Sequence, residues 1–254
     1  MIQIIGLKNI PIIKQQDDLV EIILNSLDQM QLSIEDNDIL VIAQTIISRI
    51  EGRVRDLKDI TPTQEALQIA EFINNSKDPR LITLILEESK AILKTAVIEK
   101  IGKIIVETKL GFICADAGID ASNTPNDLVS LLPLAPDKSA AEIRAQILQK
   151  TDKDVAVIIS DTHGRPFRRG AINIAIGVAG LKEIRDYRGQ TDLFDYQLQK
   201  TQIAIADELA SAAELIMGEA AEGMPIILIR GYEYNDRDGN AQRLIRPVEQ
   251  DLFR

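Results

Sequence analysis

Three short segments place carboxylates where neither a core nor an ordinary surface accounts for them. Asp116-Ala117-Gly118-Ile119-Asp120-Ala121-Ser122-Asn123 is a small-residue, oxygen-rich loop behind an apolar run, Asp161-Thr162 closes a strand pattern, and Gly218-Glu219 follows a helical one. Hard cations such as Mg²⁺ or Mn²⁺ are held by a few carboxylates or hydroxyls and keep positions for substrate phosphates, so such a site needs neither His nor Cys. The same Asp and Asn residues equally suit turns that satisfy their own backbone, and spacing alone leaves both readings open. His163-Gly164-Arg165-Pro166-Phe167-Arg168-Arg169-Gly170 sits beside the strand-end acid. Its three arginines suit either a bidentate clamp on a carboxylate or phosphate, or a solvated basic loop. His163 reads as a loop residue more than a ligand. Cys114 reads as a small buried hydrophobe more than a nucleophile, because no second Cys or obvious base accompanies it.

Other chemistries lose their residues. The chain has no G-x-x-x-x-G-K-[ST], no G-x-G-x-x-G after a strand, and no H-E-x-x-H, C-x-x-C or G-x-S-x-G. With one His and one Cys in 254 residues, a His-rich zinc site or Ser-His-Asp triad would hang on His163, and no intramolecular disulfide can form. A net charge of −10, 4% aromatics and no Trp argue against a nucleic-acid partner, although a local basic patch or a bound metal can still hold one small phosphorylated ligand. The 45% hydrophobic and 27% charged composition is that of a soluble globular chain. Its longest apolar stretch, Ala171 to Leu181, falls short of the roughly 18 residues that a spanning helix needs. Met1 to Ile13 lacks a basic n-region, and the cysteine usage fits a reducing compartment, so the expectation is a cytoplasmic protein with no membrane partner.

The elements that must position these residues are legible from pattern. Ile2 to Ile5 reads as a strand, and Asp17 to Met30 as a helix with Leu19, Ile23, Leu27 and Met30 on one face. Ile39 to Ala43 reads as a buried strand leading into Gln44-Thr45 and the triplet Glu51-Gly52-Arg53. Thr61-Pro62-Thr63-Gln64 predicts a helix capped by Thr61, and Asp78-Pro79 opens another. Ala96 to Ala115 predicts antiparallel hairpins broken at Gly102 and Leu110-Gly111, followed by a loop from Ala117 to Pro136. Ser139 to Glu142 is a capping box for a helix reaching about Lys150, and Val155 to Ser160 is a strand delivering Asp161 and Thr162 at its C-terminal end. A helix from Ala206 to Met217 ends at Gly218, and Ile226 to Ile229 is a last strand. Strands in hairpins mixed with helices give an α+β class with mixed and antiparallel sheets. No repeat or Pro/Gly/Ser linker divides the chain.

Seven motifs in order, Ile10-Pro11-Ile12-Ile13-Lys14, Ser48-Arg49-Ile50-Glu51-Gly52-Arg53, Ala117 to Asn123, Leu131-Leu132-Pro133, Ser160 to Arg168, Ala206 to Ala210 and Met217-Gly218-Glu219, resemble the coenzyme F420 γ-glutamyl ligase family from about Ile4 to Gly231. The resemblance implies that residues 1–254 form a single ligase unit of two intimately packed subdomains in an intertwined homodimer. It implies a GTP-dependent amide ligase that adds L-glutamate successively to a deazaflavin coenzyme precursor through an acyl phosphate, releasing GDP and phosphate. Two divalent metals, Mn²⁺ or Mg²⁺, and K⁺ come with it. By similarity, Asp120 and Asp161 would hold the first metal, Thr162 and Glu219 the second, and Asp120, Asp161 and Arg165 would serve catalysis. Nucleotide contacts would come from Ile10, Pro11, Ile12, Ile13, Gln44, Thr45, Arg49 and Asn123, and from Met217, Gly218, Glu219, Ala220, Ala221, Glu222, Gly223 and Met224.

The chain departs from the family pattern at three places. Ser48-Arg49 stands where Ser-Lys is usual, so a bidentate fork replaces a point charge. Asp116 replaces the Asn of Cys-Ala-Asn-Ala-Gly, adding a charge that would either join the metals or repel phosphate. The pattern Asp-Leu-x-Gly-Arg-x-Leu reads Asp192-Leu193-Phe194-Asp195-Tyr196-Gln197-Leu198, which loses an arginine and opens the choice of acceptor. Two further readings follow: a related ligase for another carboxylate acceptor, and a non-catalytic nucleotide-binding protein. Retention of Asp120, Asp161, Thr162 and Glu219 argues against the second, because buried acids are costly to keep without a cation.

Overall fold

The computed structural model describes residues 1–122 and 127–252. In chain order the elements are β1 (Gln3–Gly6), α1 (Leu19–Gln29), β2 (Ile39–Ala43), α2 (Gln44–Ile50), β3 (Val54–Asp56), α3 (Gln64–Phe72), α4 (Pro79–Glu87), β4 (Ser89–Ile98), β5 (Ile101–Thr108), β6 (Ile113–Ala115), β7 (Leu128–Ser130), α5 (Pro136–Thr151), β8 (Ala156–Gly164), β9 (Ala171–Ala179), β10 (Arg185–Asp186), β11 (Gln202–Ile203), α6 (Ile205–Met217) and β12 (Ile226–Arg230). The class is α+β with mixed sheets, as the pattern predicts.

A five-stranded sheet in the order β1-β12-β2-β8-β9 forms the centre. Only β2 and β8 run parallel, and the other neighbours pair antiparallel. The inner strands read Ile-Leu-Val-Ile and Ala-Val-Ile-Ile because both sheet faces are covered. On one face Leu40, Ile42, Val157 and Ile159 pack with residues of α1 and α5; on the other Ile39, Val41, Ala156 and Ile158 pack with α6. Truncating one of the larger of these fully buried side chains to Ala costs about 2–5 kcal/mol. The exposed edge of β9 is closed by carboxylates: Asp207 accepts from Ala175 N at 2.9 Å and Asp137 from Val178 N at 2.8 Å.

A smaller sheet, β4-β5-β6, packs against α3 and α4 around Ala66, Ile73, Ile82, Ile85 and Ile104. The Glu51-Gly52-Arg53 triplet fastens the segment after β7 to the body. Glu51 accepts from Leu134 N at 3.0 Å and Ser139 Oγ at 2.7 Å, while Arg53 donates to Leu132 O at 3.0 Å and to Glu88 at 2.7 Å.

Several boundaries differ from the sequence reading, each for a physical reason. Thr63, not Thr61, caps α3, its hydroxyl accepting from Ala66 N. Helix α5 begins at Pro136, because the Ser139 hydroxyl is spent on Glu51 instead of a cap. The β4–β5 turn falls on Glu99 and Lys100, both with positive φ, and Gly102 lies within β5, where a Cβ would collide with Ile73 and Ser76. The segment after Ala117 is not all loop, since β7 pairs with β3. Strand β8 runs on to Gly164, so Asp161, Thr162 and His163 are strand residues and not a strand end. It outruns β2, whose last pair is Ala43 with Ser160, and continues paired to β9 alone.

Candidate active site

A cleft of about 990 Å³ opens where β2 and β8 end their pairing. Its walls carry almost every candidate from the sequence: Ile10 to Ile13, Gln44, Thr45, Arg49, Asp120, Asp161, Thr162 and the whole run Met217 to Met224. Asn123 lies outside the described residues. Arg165 does not line the cleft; its guanidinium donates back to the carbonyls of Arg169 at 3.2 Å and Gly170 at 3.4 Å.

Asp161 and Thr162 are neighbours in β8, so their side chains leave on opposite sheet faces. Asp161 is half-buried in the cleft wall, and burial pushes its carboxyl up to about 7, with the charges of Asp120 and Glu219 adding in the same direction and the Thr162 N–H opposing them. Thr162 Oγ1 lies 2.6 Å from Glu219 Oε1 and 2.9 Å from the side-chain amide of Asn173. The Asn173 atom is Oδ1, so the one Thr162 proton stands between two acceptors, of which the Glu219 carboxylate is nearer and stronger. Nothing in the sequence marks Asn173 beyond its being a polar residue inside an apolar run.

Glu219 reaches this position because α6 stops sharply. Gly218 has φ 67° and ψ 177°, a region open essentially to glycine alone, and a Cβ there would meet Glu222. Asp120 is delivered by a left-handed turn in which Asp116, Ala117 and Gly118 all have positive φ. The strand-like bridge between Asp120 and Ser130 then locks the backbone, and Ser122 donates to both Asp120 oxygens at 2.7 and 2.6 Å.

Asp116 faces neither the metals' expected place nor a phosphate. It pairs with Lys77 at 2.8 Å. Its φ of 55° accounts for an Asn or Asp at this position, since both tolerate the left-handed region. Asp195, where the family pattern has Gly, also sits at positive φ, 59°, on an exposed excursion between β10 and β11. Cys114, beside Asp161, has its thiol pushed up to about 12, chiefly by burial, which accords with an inert side chain. Burial pushes His163 below its ordinary value, and its hydrogen bond with the Ile113 backbone opposes that shift.

The donor set suits a hard cation on its own chemistry. Asp120, Asp161, Thr162 and Glu219 supply only hard oxygens, and a desolvated carboxyl held up by two neighbouring acids is one that a cation would relieve. Among the described residues no three His, Cys, Asp or Glu side chains converge on a single metal point. Glu219 is in direct contact with Thr162, and the charges of Asp120 and Glu219 both act on Asp161.

Fold and site together define a mixed α+β protein whose main cleft, of about 990 Å³, carries hard-oxygen acids in its wall. Residues 8–231 match the family described as F420-0:Gamma-glutamyl ligase, and the chain belongs to that family. It is 45% identical over 257 aligned residues to the coenzyme F420:L-glutamate ligase of Methanothermobacter thermautotrophicus, covering 100% of this chain and 99% of that one. The protein of the same name from Methanocaldococcus jannaschii is 47% identical, covering 100% and 97%, and that of Archaeoglobus fulgidus 38%, covering 100% and 96%.

Proposed function

We propose that this chain is a GTP- and divalent-metal-dependent ligase that joins L-glutamate by an amide bond to a deazaflavin coenzyme precursor and then to the γ-carboxyl of the first glutamate. The observation that carries the reading is Asp161, a desolvated carboxyl between Asp120 and Glu219 in the wall of a cleft large enough for a nucleoside triphosphate. Family membership and the activity for which the relatives are named agree with it.

Amide formation from a carboxylate needs a leaving group. In this reading the acceptor carboxylate oxygen attacks the γ-phosphorus, the bond to the β-phosphate oxygen breaks and GDP leaves. The glutamate amine, having lost its proton, attacks the resulting acyl phosphate and displaces inorganic phosphate. Such transfers rest on positioning and charge neutralisation and need no side-chain nucleophile. Asp120 and Asp161 would hold one Mn²⁺ or Mg²⁺, and Thr162 and Glu219 a second. Bound there, the metals would supply neutralisation of the phosphoryl oxygens. Thr162 orients Glu219 through its hydroxyl, and Asn173 orients Thr162. Arg49 lines the same cleft, where its guanidinium would meet the phosphates. Arg165 would have to leave the carbonyls of its own hairpin to reach substrate. K⁺, the homodimer with two packed subdomains, and a cytoplasmic setting are carried by the family resemblance. Among the described residues no helix is long and apolar enough to cross a membrane.

A different acceptor is favoured by one observation, the exposed Tyr196 where the family pattern has an arginine. Mass spectrometry of the unglutamylated coenzyme incubated with protein, GTP, Mn²⁺, K⁺ and L-glutamate tests the reading. A GTP-dependent glutamyl increment is expected. GTP hydrolysis or binding with no increment would redirect the search to another carboxylate.

A further inference from the structure

A second recess, about 220 Å³, lies where β8 and β9 pass the end of β6. Phe112, Ile113, His163, Ile174, Asp207 and Arg246 line it. Two of these have polar capacity to spare. Asp207 accepts from Ala175 N through Oδ1, and its other oxygen makes no hydrogen bond with any described residue. Arg246 makes no hydrogen bond or ion pair with any described residue. Burial holds the Asp207 carboxyl above its ordinary range, a condition that a cation beside it would relieve. Asp251 adds a second acid to the wall and already has a partner.

A guanidinium and a carboxylate that share a recess without bonding each other match a ligand that carries both charges. A free amino acid is such a ligand. At about 30 Å³ per water, a recess of 220 Å³ has room for one amino acid and a few waters. Phe112, Ile113 and Ile174 would cover side-chain methylenes, and Arg246 can take a carboxylate through two parallel N–H groups.

The position is also informative. Asp161 and His163 project from the same face of β8, roughly 7 Å apart along the strand. On β6, Ala115 lines the large cleft and Ile113 the recess. The recess is therefore one inward-facing residue along each of two strands from the acid-lined cleft.

We propose that this recess is the subsite for the incoming amino acid, with Arg246 binding a carboxylate and Asp207 accepting from the ammonium. The inference rests on the ligase reading above and names its amino-acid site. Steady-state kinetics on the full chain, varying L-glutamate and nucleotide separately, test it alongside calorimetric binding of L-glutamate. Arg246→Gln should raise the glutamate KM and dissociation constant by about tenfold or more, the loss of one charge-assisted pair, while the nucleotide KM and Mn²⁺ affinity stay at wild-type values. Asp207→Asn should move glutamate in the same direction; because Asp207 also caps the β9 edge, its thermal melt is measured in parallel. Should that variant fail to fold, the Arg246 variant decides the question, since Arg246 is exposed and bonds no other described side chain. A glutamate KM in Arg246→Gln within twofold of wild type, with wild-type turnover normal, overturns the subsite alone. A wild-type protein that neither binds nor transfers glutamate overturns both readings.

Discussion

Lys77 Nζ lies 2.8 Å from Asp116 Oδ2, with the two side chains only 13% and 17% exposed. The pair spans the loop before α4 and the left-handed turn that feeds Asp120 into the cleft. Two non-glycine residues at positive φ cost roughly 1 kcal/mol or more each, and Lys77, with a long contact of 3.4 Å from Ile104 N to Asp116, holds the turn in place. Removing only the lysine would strand a carboxylate in a site with little water. Lys77→Met should therefore destabilise the fold by about 3 kcal/mol and weaken Mn²⁺ binding through Asp120. Adding Asp116→Asn, which keeps the left-handed preference and removes the charge, should restore most of both. Denaturant unfolding and metal titration of the two variants check this, and equal losses in the single and double variants would show that the ion pair does not govern the turn.

Asp161 makes the stability of the metal-free fold depend on pH. An aspartate in the unfolded chain titrates near 3.9, whereas burial and two neighbouring acids push this one up to about 7 in the fold. The folded state thus binds the proton more tightly. Its contribution to stability is complete below about pH 4 and is lost as pH rises toward 7. Metal-free wild type should melt several degrees lower at about pH 8 than at about pH 5, relative to Asp161→Asn, in which this dependence is gone. Mn²⁺ should raise the melting temperature more at the higher pH. Parallel slopes for wild type and Asp161→Asn without metal would contradict the burial described for this carboxyl.

Much of this arrangement is readable from residues whose chemistry is local. Asp78-Pro79 opens α4 as its cap chemistry requires, and the Ile-Leu-Val-Ile run of β2 announces a strand covered on both faces. Gly218 ends α6 where the helical pattern stops. What stays illegible depends on distant partners. Nothing near Ser139 tells that its hydroxyl binds Glu51, and nothing near Asp116 names Lys77. Strand β8 outruns β2 because β9 accompanies it as a hairpin, a matter of pairing length that no periodicity in Ser160-Asp161-Thr162-His163 encodes. Asn173 and the Arg246 recess escape a sequence reading for the same reason, each being assembled from separate strands and the chain's final segment.

Asn173 gives a sharper test of the Thr162–Glu219 contact. Its Oδ1 and Glu219 Oε1 are the two acceptors around the one Thr162 proton, so a charged acceptor at position 173 draws that proton away from Glu219. Asn173→Asp should lower kcat/KM by about tenfold or more and shift the Mn²⁺ dependence of turnover. Asn173→Ser, which adds no charge beside Thr162, should lose less. Turnover of the two variants across a Mn²⁺ titration makes the comparison. Equal activity would mean that the Thr162–Glu219 contact does not depend on the charge at position 173.

Cys114 reports on the same neighbourhood without recourse to turnover. Burial first, then the charges of Asp161 and Asp116, push its thiol up to about 12, against the smaller opposing effect of the Gly118 N–H. The thiolate is the reactive form, and an ordinary cysteine titrates near 8.5, so alkylation of the native protein at about pH 8 should run on the order of a thousandfold slower than that of a free thiol. Denaturant should restore the ordinary rate. Timed labelling with iodoacetamide and mass analysis measures both. Rapid labelling of the folded chain would mean that β6 opens readily and exposes this thiol.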